Sequence, residues 1–208
     1  MIWDDENLVK ILKSGGVAVM PTDTLYGIVG RADNMETVER IYSIRKRNPE
    51  KPCVVLIGNI DELERFSIKL SDIQKNIIKN YWTEPTSIIL DCTDERFSYL
   101  HRGTQTLAFR LPLNLDLQKL LQETGPLIAP SANPEGLPPA QSIVEAKNYF
   151  GDLVDPVRSR PREASATVTL GRPASNGVDL YVDGGDIVGK ASKIIKLQKD
   201  GSIDILRE

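Results

Sequence analysis

A chain of 208 residues, 40% hydrophobic and 26% charged, suits one sizeable domain with a real core and is not disordered by composition. A net charge of −3 and a pI near 5.4 argue against a strongly electrostatic nucleic-acid binder, though not against a local basic patch. One histidine, His101, excludes a His-rich metal site; two cysteines, Cys53 and Cys92, each in an apolar run, read as buried thiols rather than a disulfide framework or metal cluster.

The acidic start at Asp4, Asp5 and Glu6 is unlike a secretory signal. No apolar run approaches the roughly 18 residues of a membrane span. A cytoplasmic location, with no membrane partner, is the expectation.

Leu8, Val9, Ile11 and Leu12 behind that start, closed by Ser14-Gly15-Gly16, predict an amphipathic helix over Asp4 to Lys13. Gly16-Val17-Ala18-Val19-Met20 reads as a buried strand. It stops at Pro21, and Thr22-Asp23-Thr24-Leu25-Tyr26-Gly27 follows. Proline ends a ladder, and short polar side chains at a strand's carboxyl end form either a binding lip or a polar turn between strand and helix. Asn34 is a cap for a helix over Met35 to Ile44. That helix ends in Arg45-Lys46-Arg47, where cations also serve the helix dipole.

Cys53 to Ile57 predicts a strand, Asn59 starts a short helix, and Ser71 caps another to about Tyr81. Ser87 to Leu90 is a strand and Phe97 to Gly103 a loop. Thr106 to Leu111 is a strand stopped by Pro112. Leu113 to Thr124 is a helix with Leu117, Leu120 and Leu121 on one face. Leu127-Ile128-Ala129 is a strand ending at Pro130, and Ser142 caps a helix to about Phe150. Strands follow at Leu180 to Val182, Lys193 to Leu197 and Ile203 to Leu206. Alternating strands and helices imply a three-layer α/β fold, with a mixed sheet because the last strands lie close together in sequence.

Pro156 to Gly177 is polar and carries Arg158, Arg160, Arg162 and Arg172, with Thr167 to Leu170 a candidate strand. Val154-Asp155 before it is echoed by Val178-Asp179 after it. One domain spanning 1–208, with a surface-loop insertion at about 156–179, is the expected organisation.

Three stretches carry candidate chemistry besides the lip. Arg47 and Lys51 are the first phosphate candidates. Thr106, Ala108 and Arg110 share one strand face. A buried arginine there needs an anion, either a substrate carboxylate or a structural partner such as Asp23. Ser131 and Asn133 follow a strand that ends in proline, so they line a pocket or make Asx and ST turns. Gly184-Gly185-Asp186-Ile187-Val188-Gly189-Lys190-Ala191 nearly fits a P-loop. Ala191 lacks the hydroxyl that holds magnesium, and an alternating strand pattern follows, so the stretch reads as a glycine-rich turn.

In order and spacing, Pro21 to Gly27, Arg45-Lys46-Arg47 with Lys51-Pro52, Thr106 to Arg110 and Ala129-Pro130-Ser131-Ala132-Asn133 closely resemble the YrdC/Sua5 family of threonylcarbamoyl-AMP synthases. The resemblance runs from about Gly15 to Asp155 and resumes near Leu180. It implies a twisted mixed sheet with helices on both faces, the YrdC/RibB-like fold. It also implies that Arg47, Lys51, Thr106, Asn133 and Arg207 meet ATP, and that Thr22, Arg110, Ser131 and Ser192 meet L-threonine. Arg45 stands where the family has lysine, Leu56 where some members have histidine, and Lys193 where a threonine follows the serine. Trp82-Thr83-Glu84-Pro85 replaces a Trp-Pro-Gly-Pro turn.

The implied function is synthesis of L-threonylcarbamoyladenylate from L-threonine, bicarbonate or CO2, and ATP, with release of pyrophosphate, for modification of adenosine 37 of tRNA. No residue presents itself as a general acid or base. Mg2+ is expected with ATP and needs no protein cage. A tRNA threonylcarbamoyl transferase complex is the implied partner, with a possible weak tRNA contact. The alternative is an RNA-binding module without adenylation. A third use of this domain type, carbamoyl transfer in hydrogenase maturation, belongs to long proteins whose zinc-finger and acylphosphatase segments are missing from this sequence.

Overall fold

The computed structural model describes residues 2–151 and 177–208. Of the expected insertion, 156–176 and with it the candidate strand at 167–170 lie outside the described residues.

Helix α1 (Glu6–Lys13) begins where the Asp5 carboxylate accepts the Asn7 and Leu8 amides. Strand β1 (Ala18–Pro21) then turns into β2 (Tyr26–Arg31), paired antiparallel from Ala18↔Val29 to Pro21↔Tyr26. The sequence reading missed β2 and took this region as a turn leading to a helix. Gly27 and Gly30 hide its strand character. The second is required, because a Cβ at Gly30 would lie 2.3 Å from Thr37 Cγ2. Helix α2 (Met35–Arg45) is capped by Asn34 as expected and closes with Lys46 in the left-handed conformation.

Strand β3 (Val54–Leu56), a 3-10 helix over Ile60–Phe66 and α3 (Asp72–Tyr81) follow; α3 carries a full capping box between Ser71 and Gln74. After β4 (Thr86–Asp91), the stretch read as a loop is instead a 3-10 turn, Glu95–Phe97, running into a short α4 (Ser98–His101). Asp94 caps the turn, and Phe97, Leu100 and His101 are buried, so packing orders what the pattern left open. Then come β5 (Thr106–Arg110), α5 (Leu115–Thr124), β6 (Leu127–Ile128), α6 (Ile143–Phe150), β7 (Leu180–Tyr181), β8 (Lys193–Leu197) and β9 (Ile203–Arg207).

The strands form one mixed sheet in the order β7-β1-β2-β6-β3-β5-β4-β8-β9. β1 with β7, β3 with β5, and β4 with β8 are parallel, and the other neighbours are antiparallel. Helices cover both faces, as the three-layer expectation requires. On one face Val38, Ile41, Ile78, Leu100 and Ile143 of α2, α3, α4 and α6 pack with Val55, Phe109 and Ile88. On the other, Leu8 and Leu12 of α1 and Leu117, Leu120 and Leu121 of α5 pack with Met20, Leu56 and Leu127. Each of those leucines contributes about 1.5–3 kcal/mol relative to exposure. Cys53 and Cys92 are free and buried, as expected.

Gly151, the last described residue before 177, lies beside β7, its carbonyl accepting the Tyr181 hydroxyl at 2.6 Å. Val178 is buried, and Asp179 pairs with Arg40 at 2.8 Å and accepts the Val17 amide at 2.7 Å. Residues 178 and 179 therefore belong to the packed body rather than to an excursion.

Candidate functional site

Where α1 and α5 stop covering their face of the sheet, the strands line a cavity of about 520 Å3, within the range of small-molecule sites. Strand alternation explains its floor. Thr106, Ala108 and Arg110 of β5 face it, with Val54 of β3, Ile89 of β4 and Ile194 of β8 beside them. The β1–β2 turn forms one rim. The residues after β6 form another, since Ala132 donates to the Tyr26 carbonyl and Ser131 bridges Gly27.

Seven of the nine residues singled out in the sequence line this cavity: Thr22, Arg47, Thr106, Arg110, Ser131, Ser192 and Arg207. They come from positions up to 185 apart, and long-range pairing brings them together. β8 carries Ser192 beside β4, where its hydroxyl lies 2.8 Å from that of Ser87. β9 returns antiparallel with Arg207 opposite Ile194. The Arg207 Nε and Nη2 both donate to the Ser192 carbonyl, at 3.0 and 2.7 Å.

The Thr22 hydroxyl donates to the Leu25 carbonyl at 2.7 Å and accepts the Thr24 and Leu25 amides. The lip is thus a hydroxyl-closed turn and a cavity wall at once. The Thr106 hydroxyl donates to that of Thr104 at 3.2 Å, and Thr104 also lines the cavity.

Arg110 and Asp23 meet as the structural reading of that arginine expects. Nη2 lies 2.9 Å from Oδ1, and both side chains are 7% exposed. The contact is one of charge rather than alignment: among the described residues, Arg110 Nε and both Asp23 oxygens have no hydrogen-bond partner. Burial lowers the Arg110 pKa, and Asp23 opposes that. That Nε is itself shut off from the cavity, so what Arg110 offers a carboxylate is the charge of a guanidinium that lines the wall.

Lys51 and Asn133 do not line the cavity. Lys51 Nζ is 2.7 Å from Glu135 Oε1 at the rim, and Glu135 also accepts the Asn48 amide. That ion pair and the Asn48 amide hold the Glu135 carboxyl down at about 2. Asn133 is buried and spends its amide on the Pro134 and Leu137 carbonyls, at 2.9 and 2.7 Å. Its role here is the turn that its sequence also allowed.

Arg45, whose role the sequence left open, is 3% exposed. Its Nε donates to the Asn133 carbonyl at 2.9 Å and its Nη2 approaches Ser131 Oγ at 3.5 Å. Among the described residues Nη1 has no hydrogen-bond partner. Burial, then the neighbouring Arg47, lowers its pKa to about 10, so it stays charged at neutral pH. Arg47 is tied at Nε to the Lys51 carbonyl and at Nη2 to the Pro52 carbonyl, with Tyr42 beneath it. Arg45 and Arg47 thus donate to neutral acceptors, and the charge they bring together suits a polyanion.

Cys53, which the sequence marks only as a buried thiol, also lines the cavity near these cations; burial pushes its thiol pKa up. Leu56 sits in the core against α5 and does not line the cavity. Two departures from the family pattern face each other, Lys193 Nζ lying 3.9 Å from Glu84 Oε1. Among the described residues no helix is long and apolar enough to cross a membrane.

A family model described as telomere recombination, that of the Sua5/YciO/YrdC domain, matches residues 10–167. A protein named threonylcarbamoyl-AMP synthase in Bacillus subtilis is 32% identical over 145 residues, which are 69% of this chain and 41% of that protein. One of the same name in Photobacterium profundum is 29% identical over 150 residues, 71% of this chain and 81% of that one. The chain thus spans less than half of the first relative and most of the second. Of solved structures, P. abyssi Sua5 complexed with L-threonine superposes with a TM-score of 0.74 at 22% identity, covering 95% of this chain and 52% of that one. The fold, the ordered motifs and the matched model agree: the chain belongs to the Sua5/YciO/YrdC family.

Proposed function

We propose that this chain makes L-threonylcarbamoyladenylate from L-threonine, bicarbonate or CO2, and ATP, releasing pyrophosphate. The observation that carries this reading is the pairing of two unlike subsites in one cavity. Arg110, ion-paired with Asp23, lines the cavity beside the lip, and Arg47, bonded to neutral carbonyls, lines the other end with the buried Arg45 behind it. The first fits the carboxylate of an amino acid, and the second fits phosphates. The names of the relatives support the same substrates.

In this reading the threonine amine adds to CO2, loses a proton and becomes a carbamate. A carbamate oxygen forms a bond to the α-phosphorus as the bond to the β,γ-pyrophosphate breaks. Arg47, with Arg45 behind it, would neutralise charge on the departing pyrophosphate. Arg110, Thr22 and Ser192 would hold the amino acid in line, and Thr106 and Arg207 the nucleotide. The lining offers guanidiniums and hydroxyls, which fit a triphosphate, so Mg2+ would be ligated by phosphate oxygens rather than by a protein cage. Lys51 and Asn133 enter this scheme at the rim and in the supporting turn.

The product would pass to a tRNA threonylcarbamoyl transferase complex acting on adenosine 37, in the cytoplasm. The test is pyrophosphate release from ATP with threonine and bicarbonate each omitted in turn. Release that depends on both is expected; release indifferent to threonine would overturn the reading.

A further inference from the structure

Residues 183–192, which contain the glycine-rich turn expected at 184–191, connect β7 to β8 and pass against Pro21 and Thr24 at the lip of the cavity. They are pinned along their length. The Tyr26 hydroxyl accepts the Gly184 amide at 2.8 Å and donates to the Gly185 carbonyl at 2.9 Å. The Ile187 amide donates to the Gln141 carbonyl at 2.8 Å. At the far end Ser192 is held by Ser87 and Arg207.

The segment lies flat because it has no side chain where it meets the lip. A Cβ on Gly184 would sit 2.6 Å from Pro21 Cγ, and one on Gly189 only 1.8 Å from the Thr24 carbonyl oxygen. The Thr24 oxygen is backbone, so it cannot rotate away. A second cavity of about 590 Å3 lies alongside, and Thr24 and Ala191 line both. The crossing segment and the lip are therefore the partition between the two spaces.

We propose that residues 183–192 are a fixed strap that sets the shape of the amino-acid end of the cavity, with Gly189 as its positioning residue. The glycines that imitate a phosphate loop are there so that the strap can press on the lip. Thr22 is in the turn that the strap presses, and Asp23 within that turn orients Arg110. A side chain at position 189 would lift the strap, loosen the turn and merge the two cavities there. The substrate assignment rests on the function proposed above; the strap itself rests on the contacts.

The test uses the full chain with Gly189→Ala, Tyr26→Phe, which removes both hydroxyl bonds and keeps the ring, and Gly151→Ala as comparator. Gly151 has φ +81° with no described residue within 4 Å of an added Cβ, so its substitution adds backbone strain remote from the lip. We expect Gly189→Ala to raise KM for threonine about tenfold or more while KM for ATP changes no more than about twofold. Tyr26→Phe should move KM for threonine in the same direction by less, and Gly151→Ala should lower the melting temperature alone. Hydrogen exchange at the Thr24 and Leu25 amides should speed up in the first two variants and not in the third. If Gly189→Ala and Tyr26→Phe leave both the threonine KM and those amides as in the parent, there is no such strap. If the parent itself shows no threonine-dependent turnover, the proposed function fails, and the amide exchange alone decides the strap.

Discussion

The two ends of the cavity use the same residue type in opposite electrostatic company. At the lip, Arg110 is paired with a carboxylate as buried as itself, so that buried pair is charge-balanced, and Arg207, held by the Ser192 carbonyl, adds its charge from the side. At the other end, Arg45 and Arg47 are held by carbonyls and an amide oxygen, and the nearby carboxylate, Glu135, is at the rim on Lys51. A balanced buried pair with one further cation beside it suits an amino acid, whose carboxylate meets positive charge without a net charge being buried on the pair itself. An end with excess positive charge suits a polyphosphate, which returns more than the desolvation it requires.

The largest expected effect comes from breaking the balanced pair. Arg110→Ala leaves Asp23 buried without a partner, which costs about 3–5 kcal/mol of stability, or roughly 6–20 °C in melting temperature at this size. Adding Asp23→Asn should restore most of the melting temperature while the threonine requirement stays raised. If restoring stability also restores the parent's threonine KM, Arg110 is an ion-pair residue and nothing more.

At the excess end the expectation is reversed: activity falls and the fold holds. Arg47→Ala removes a charge-assisted contact worth about 1.5–3 kcal/mol, roughly 10–150-fold in turnover on ATP. Its melting curve should shift by only a few degrees, since Arg47 is bonded to carbonyls at the surface rather than to a buried charge. Full pyrophosphate release by this variant, with unchanged ATP affinity, would remove the phosphate role.

A smaller effect is expected from Asn133→Ala, which touches the excess end from behind. It strands the Pro134 and Leu137 carbonyls and one Arg45 contact, a loss of about 1–3 kcal/mol read as a lower denaturant midpoint. Turnover measured well below the new midpoint should change less than in Arg47→Ala; a larger change would put Asn133 in contact with nucleotide after all.

The smallest effect belongs to Glu135→Gln. The Lys51–Glu135 pair is at the surface, where water and salt screen it and leave it worth little. Glu135 has a folded-state pKa lowered from 4.5 to about 2 by Lys51 and the Asn48 amide. A lowered carboxylate pKa means that the contribution is fully present above about pH 4.5 and is lost as pH falls towards 2. Melting curves of parent and variant should therefore differ slightly at pH 7 and converge at the acid end of that window. A gap that widens on acidification would contradict the pairing.

Local chemistry made much of this molecule legible from residues alone. Asn34, Asn59, Ser71 and Ser142 cap helices where their hydroxyls and amides said they would. Leu117, Leu120 and Leu121 face the core because the 3.6-residue period leaves them no other side. The ordered motifs carried the family and most of the cavity lining. What sequence could not decide were choices made by distant partners. β2 is a strand because β1 and β6 pair with it, against the low propensity of Gly27 and Gly30. Ser131 and Asn133 are two residues apart and both short and polar, yet one faces the cavity while the other ties down the turn behind it. Arg110 received both of its possible partners' chemistry at once, an ion pair with Asp23 and a place on the cavity wall. Gly189 is intelligible only once β7 and β8 have carried it across to Thr24. Caps and periodic faces act within a few residues and are written locally, whereas contacts between segments more than a hundred residues apart exist only after the sheet has closed.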